Sequence, residues 1–215
     1  NSGSDLRNYG GLDGIPAAKL LFSHMIDARP DDILVGGNGS LTLMYLCVQF
    51  ALNHGVNGPD SAWSKSRQTI KFLAPVPGYD RHFSICEMLG IELLPVAMND
   101  HGPDMDQVEA MVAADPQIKG IWCVPRFSNP TGVTYSEQVV ERIAKLANIA
   151  GPHFRVFWDN AYAVHSFDTT APKLTNILEL ARQQHTEDSI YVFGSTSKIT
   201  FAGAGVCFMA TSASN

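Results

Sequence analysis

Short apolar runs that alternate with helical patterns are the feature that most constrains the fold of this 215-residue chain. The runs are continuous and rich in β-branched or aromatic residues, which is typical of strands buried on both faces. They lie at residues 33–35, 70–74, 91–97, 118–124, 154–158, 189–193 and 206–210. Between them, helical spacing covers residues 41–52, 80–89, 105–114, 136–150 and 174–184.

This alternation predicts an α/β fold, a three-layer sandwich in which a mostly parallel, seven-stranded sheet carries helices on both faces. Gly90 and Gly151 follow two of the helical patterns, as helix-terminating glycines do. Thr134 and Glu137 have capping-box spacing for the helix before Gly151, with Ser136 as a competing cap. Because no repeat or linker divides the chain, we expect one domain.

Composition excludes several classes of protein. A content of 45% hydrophobic and 17% charged residues suits a soluble globular domain. The net charge of -6 and the lack of a Lys/Arg cluster argue against a nucleic-acid surface, and no apolar stretch has the length of a membrane span. The four cysteines lie far apart in apolar stretches, so we expect reduced core thiols and a cytoplasmic protein: Cys47, Cys86, Cys123 and Cys207. We predict no metal site, since His82, His153 and His165 share no metal-ligand spacing.

Polar and glycine-rich motifs follow most of the predicted strands. Mostly parallel sheets hold ligands at the carboxyl ends of their strands, so these motifs mark one candidate site. They are Gly-Gly-Asn-Gly-Ser at 36–40, Pro-Gly-Tyr at 77–79, Ser-Asn-Pro-Thr-Gly at 128–132, Phe-Trp-Asp-Asn-Ala-Tyr at 157–162 and Gly-Ser-Thr-Ser-Lys-Ile at 194–199.

Two of the motifs carry an amine or a carboxylate side chain. Lys198 stands just beyond a strand, and a lysine amine that a site keeps neutral can form a Schiff base with an aldehyde. Asp159 ends an apolar strand, where a buried carboxylate needs a cationic partner, although it could also cap a turn with Asn160.

The remaining motifs are individually less specific. The glycine turn at 36–40 offers backbone N–H groups and a helix dipole to a phosphate, although such turns are also common without a ligand. Tyr79 could stack on a flat ring or simply anchor the surface. Asn129 is followed by a proline that fixes the backbone and a glycine that permits a turn, which would hold its amide rigidly, but Asn-Pro is also an ordinary turn signal.

In this order, the motifs resemble fold-type I pyridoxal-phosphate (PLP) enzymes of the aspartate aminotransferase superfamily, from about Tyr9 to the end of the chain. Segments 126–132, 159–165 and 195–205 most resemble the atypical bacterial, or class Ic, aspartate aminotransferases. The resemblance implies a PLP-binding large domain in which Lys198 holds the cofactor, Asp159 pairs with its ring nitrogen, and both act in catalysis together with Tyr162.

The resemblance also assigns the other contacts to the cofactor. Phosphate contacts fall on Gly37, Asn38, Ser40, Ser195 and Ser197. Ring contacts fall on Tyr79, Asn129 and Tyr162, and Asn129 also lies near the substrate carboxylate. Tyr9 would cross to the phosphate of the partner subunit in a homodimer.

One departure concerns the arginine that pairs with the phosphate in the resembled family, because Ala204 occupies its place here. A different cation, or more hydroxyl and backbone donors, would have to replace it. We expect residues 1–215 to be a fragment, without the N-terminal arm and without the small C-terminal domain that supplies an arginine for the substrate carboxylate.

The function implied is transamination of aspartate and 2-oxoglutarate to oxaloacetate and glutamate. Another PLP reaction is an alternative: β-elimination, decarboxylation or transamination of a different amino acid. So is the PLP-binding effector domain of a transcription regulator, and so is an α/β nucleotide-binding domain whose glycine turn holds another phosphate.

Overall fold

The computed structural model describes residues 11–168, 171 and 173–215. The strands in this part of the chain are β1 Ile33–Val35, β2 Lys71–Val76, β3 Glu92–Asn99, β4 Gly102–Pro103, β5 Ile118–Cys123, β6 Arg155–Asp159, β7 Ile190–Ser195 and β8 Cys207–Ala210. They form one eight-stranded sheet in the order β1-β8-β7-β6-β5-β2-β3-β4.

The centre of the sheet, β3-β2-β5-β6-β7, is parallel, whereas β4 and β8 run antiparallel to their neighbours. Since β1 is antiparallel to β8, it runs in the same direction as β7. The carboxyl ends of β1, β2, β5, β6 and β7 therefore share one edge. The predicted mostly parallel sheet is confirmed, and the two-residue strand β4 is an eighth strand that the sequence did not reveal.

The helices in the described residues are α1 Pro16–Ile26, α2 Ser40–Asn53, α3 Asp80–Met88, α4 Met105–Ala114, α5 Glu137–Ala144 and α6 Ile177–Gln184. Helix α1 was not predicted, because its apolar residues do not form a single buried stripe: Leu20 and Leu21 are exposed beside buried Phe22. Helix α6 begins later than predicted since the Asn176 side chain caps it by accepting from the Glu179 N–H.

Helix α5 is shorter than the predicted segment at 136–150, and a 3-10 turn at Leu146–Asn148 follows it. The competing cap is the one used: the Ser136 hydroxyl accepts from the Val139 N–H at 3.3 Å. Thr134 instead accepts from the Phe127 N–H, which ties it to the loop after β5.

Apolar side chains pack on both faces of the sheet, which confirms the three-layer arrangement. Helices α1, α4, α5 and α6 cover one face, and α2 and α3 cover the other. The alternation along β6 shows the division: Val156 and Trp158 join the first core, and Phe157 joins the second. Burial of apolar surface stabilises a fold by about 25 cal/mol per Å², so this packing is the main source of stability.

The cysteines are free thiols in apolar surroundings, as predicted. Burial raises the pKa of Cys47 to about 12 and that of Cys86 to about 11, and it also raises the pKa of Cys123 and Cys207. Within the described residues, no helix is long and apolar enough to cross a bilayer. In the same part of the chain, no three His, Cys, Asp or Glu side chains are grouped to hold a metal ion.

We predict that Gly120→Ala destabilises the sheet. A Cβ at Gly120 would lie 2.3 Å from the Phe72 ring, which is fully buried and packs against Trp63, Trp122 and Phe157. Overpacking of this kind costs about 1–3 kcal/mol in the free energy of unfolding, measured by urea denaturation. Gly203→Ala is the control, because a Cβ there meets nothing within 4 Å. Equal stability of the two variants would contradict the packing described.

Candidate active site

Lys198 lies in the loop that follows β7, at the edge of the sheet where the parallel strands end. The loop is closed by backbone bonds around Thr196, whose N–H donates to the Val206 carbonyl at 3.0 Å and whose carbonyl accepts from the Ile199 N–H at 2.9 Å. The Lys198 Nζ lies over the ring of Tyr162, 3.9 Å from its centroid. The structure thus brings together two predicted site residues that are 36 positions apart, in a cation–π contact.

His165 lies beside this contact. Its Nε2 is 3.4 Å from the Lys198 carbonyl oxygen, to which it can donate, and its ring stands edge-on to Tyr162 with centroids 5.5 Å apart. The loop after β6 therefore touches both the side chain and the backbone of Lys198.

Asp159 is the last residue of β6 and is almost fully buried. Its Oδ2 is 3.0 Å from Nε2 of His82 in α3, and its Oδ1 has no hydrogen-bond partner among the described residues. The His82 ring stacks on Trp122 with centroids 4.6 Å apart, and Tyr79 stands edge-on to it at 5.1 Å. Asp159 is thus held from one side, with one carboxylate oxygen unpaired.

His82 is a site residue that the sequence analysis missed, because it was considered only as a metal ligand. The signal was its position three residues after Tyr79, in the first turn of α3. Side chains in a helix point back towards the N-terminus, so this one is aimed at the strand ends.

The glycine turn lies against the lysine loop. The Gly36 N–H donates to the Cys207 carbonyl, the Cys207 N–H donates to the Gly37 carbonyl, and the Ser197 hydroxyl donates to the Asn38 carbonyl at 3.1 Å. Helix α2 begins at Ser40, and no side chain caps its first turn. Its first N–H groups and the positive end of its dipole therefore face this edge.

The other predicted site residues differ in what they contact. The Ser195 hydroxyl accepts from the Ser197 N–H at 3.4 Å, so both serines lie in the lysine loop. Asn129 is exposed in its turn, and no hydrogen bond joins it to the other candidates among the described residues. Ala204 lies exposed in a 3-10 turn and offers no cation. Tyr9 lies outside the described residues.

The site therefore combines three chemical elements at one edge of the sheet. These are an exposed amine held over an aromatic ring, a buried carboxylate with one unpaired oxygen, and a helix N-terminus beside two serine hydroxyls. Such a set can hold an anionic ligand that also carries a cationic group and a carbonyl.

We predict that His82 and Asp159 are energetically coupled. His82→Ala should lower the free energy of unfolding by about 1–3 kcal/mol, because it leaves a buried carboxylate without its partner. A double-mutant cycle with Asp159→Ala, measured by urea denaturation, should give a coupling of at least about 0.5 kcal/mol. His24→Ala, an exposed histidine, is the control. Strictly additive effects would show that the pair does not interact.

Comparison with known proteins finds relatives of this chain in both sequence and fold. The sequence profile of the family described as aspartate amino-transferase matches residues 1–215. An aspartate aminotransferase of Corynebacterium glutamicum is 46% identical over 213 residues, which are 99% of this chain and 49% of that protein. The crystal structure of an aspartate transaminase from the same organism superposes with a TM-score of 0.93 and 46% identity, covering 99% of this chain and 50% of that one.

A more distant solved structure shows the same fold. It is the α-aminoadipate aminotransferase LysN of Thermus thermophilus in complex with N-(5'-phosphopyridoxyl)-L-leucine, with 21% identity and a TM-score of 0.75 over 96% of this chain and 48% of that one. The chain spans about half the length of these relatives. Since the family profile covers the whole chain and the similarity reaches 46% identity, the chain belongs to the aspartate aminotransferase family.

Proposed function

We propose that the full-length protein is a PLP-dependent aminotransferase that moves the amino group of aspartate to 2-oxoglutarate, giving oxaloacetate and glutamate. The observation that carries the proposal is the contact of the Lys198 amine with the Tyr162 ring, at the same sheet edge as the half-paired carboxylate of Asp159. The aspartate aminotransferase of C. glutamicum, 46% identical, supports the choice of aspartate.

The unpaired oxygen of Asp159 fits the pyridine nitrogen of PLP. A buried carboxylate oxygen without a partner is costly, and a protonated ring nitrogen would supply the missing donor with a full charge. His82 would keep the carboxylate in place by holding Oδ2. When bound, PLP supplies an electrophilic carbonyl and a ring that withdraws electrons from the reacting carbon.

The phosphate of the cofactor would be held at the start of α2 and in the lysine loop. The N-terminus of α2 has no side-chain cap, so its N–H groups are available to an anion. We assign Gly37, Asn38, Ser40, Ser195 and Ser197 to this contact. Neutral donors form weaker bonds to a phosphate than an arginine does, so several are needed where Ala204 replaces that residue.

The remaining residues would hold the ring and the substrate. We assign Tyr79 to stacking on the ring, and Asn129 and Tyr162 to its phenolic oxygen, with Asn129 also close to the substrate carboxylate. Lys198 Nζ, kept near by the Tyr162 ring, would take the proton from the substrate Cα. The arginine for the substrate carboxylate is assigned to the part of the protein beyond this chain.

We further propose a homodimer in the cytoplasm, in which Tyr9 reaches the phosphate of the partner subunit. Its substrates are an amino acid and a 2-oxo acid. The net charge of -6 gives no basis for a nucleic-acid partner.

Borohydride reduction of the full-length protein loaded with PLP should place the pyridoxyl mass on Lys198, as read by peptide mass mapping. Lys198→Ala should abolish the label, because no other amine is held at this edge by an aromatic ring among the described residues. Lys145→Ala, an exposed lysine, should leave it unchanged. A label on another lysine would refute the assignment of Lys198.

The substrate is tested by single-turnover spectra with a panel of amino acids. Aspartate should react fastest and release oxaloacetate, and 2-oxoglutarate should regenerate the starting spectrum. The rate of the half-reaction with aspartate should exceed that with alanine by more than about 10²-fold. Alanine lacks the charged side chain, so it would leave the polar groups of the site that bind this side chain unpaired. Release of pyruvate and ammonia, or a faster reaction with another amino acid, would favour the alternative PLP reactions. The absence of turnover by a full-length protein that binds PLP would favour the regulator.

A further inference from the structure

We propose that Arg126 is a positioning residue that holds Tyr162 against Lys198. The structural part of this inference concerns the chain alone, and its catalytic consequence rests on the proposed function. Arg126 lies in the loop that follows β5, three residues before Asn129.

The guanidinium of Arg126 reaches across to the loop that follows β6. Its Nη1 donates to the Ala163 carbonyl at 2.7 Å, and its Nη2 donates to the Ser166 hydroxyl. The same group lies 5.3 Å from the centroid of the Phe127 ring. A rigid fork that donates in two directions is a property of arginine, whereas a lysine would offer one ammonium. Arg126 therefore joins two loops through both arms of one side chain.

The loop that it holds makes few strong contacts of its own. Asn160 is anchored to the sheet, where its N–H donates to the Phe193 carbonyl at 2.9 Å. Beyond it, the local turn bonds from the N–H groups of Ala163 and His165 are long, at 3.2 Å each, and Val164 and Phe167 are exposed. The two bonds from Arg126 are thus the shortest described contacts on residues 161–166.

Tyr162 lies within the held segment. It directly precedes Ala163, so anchoring the Ala163 carbonyl restricts the backbone from which the Tyr162 ring projects. The Lys198 Nζ lies 3.9 Å from the centroid of that ring. His165, one residue before Ser166, contacts the Lys198 carbonyl. Contacts therefore run from Arg126 through this loop to both ends of Lys198. Misplacement of a reacting group by about 1 Å can cost about 10²-fold in rate.

The test uses the full-length protein as Arg126→Ala and Arg126→Lys, with Arg142→Ala as the matched control. Arg142 is also an arginine with two partners, Glu109 and Asp106, but it lies on α5 and touches no site residue. In Arg126→Ala freed of PLP, the rate of hydrogen exchange at the amides of Ala163 and His165 should rise about tenfold. A rise of this size is expected because the loop loses its hydrogen bonds to a charged group and opens more often. Exchange in β6 and β7 should stay unchanged.

The catalytic part is measured on the same variants with PLP. Arg126→Ala should weaken PLP binding, shift the visible absorption of the bound cofactor, and slow the half-reaction by at least about tenfold. Added guanidinium ion should restore part of the rate in Arg126→Ala, and Arg126→Lys should recover less than half of it, since a lysine supplies one anchor.

Three outcomes would overturn the proposal. These are unchanged exchange at the amides of Ala163 and His165, the same effects in Arg142→Ala, and faster loop exchange without any change in spectrum or half-reaction rate. If wild-type protein fails to take PLP on Lys198, the proposed function fails. In that case the exchange measurement alone decides whether Arg126 holds the loop.

Discussion

The buried contact between Asp159 and His82 is the interaction on which the site depends. A carboxylate at the end of an apolar strand can stay buried only if a partner balances its charge and hydrogen-bond donors pair with its oxygens. His82 pairs with one oxygen, and its own ring is fixed by stacking on Trp122 and by its edge-on contact with Tyr79. This pairing connects α3 with β6 across the sheet edge and leaves the second oxygen of Asp159 without a hydrogen-bond partner among the described residues.

The direction of the strands explains why the other groups meet there. Strands β2, β5, β6 and β7 are parallel, and β1 returns to the same direction through the antiparallel β8. Their carboxyl ends therefore share one edge, where the segments that follow β1, β6 and β7 contact one another. The lysine loop and the glycine turn are joined directly, through the Ser197 hydroxyl and the Asn38 carbonyl.

In the proposed function, the phosphate of PLP is bound without an arginine at position 204, where this chain has Ala204, so other groups have to balance its charge. A helix N-terminus contributes the equivalent of about half a positive charge, so it offsets only part of a phosphate dianion. Hydroxyl groups of Ser195 and Ser197 add donors without adding charge. The lysine loop is also tightly packed: a Cβ at Gly205 would lie 2.4 Å from the Ser197 hydroxyl oxygen. The close packing fixes this serine beside the start of α2.

The sequence by itself determined the layered α/β fold, because burial on both faces imposes continuous apolar runs on β5, β6 and β7. The sequence also identified Lys198 and Asp159 as candidate site residues, since both follow such runs. It did not reveal β4, which has two residues, or α1, whose apolar residues are partly exposed. Only the tertiary structure decided that His82 pairs with Asp159, that Tyr162 lies under Lys198, and that Arg126 ties the loops together. These contacts join residues 36 to 77 positions apart, and the side chains meet through the packing of helices and loops on the sheet, which local patterns do not encode.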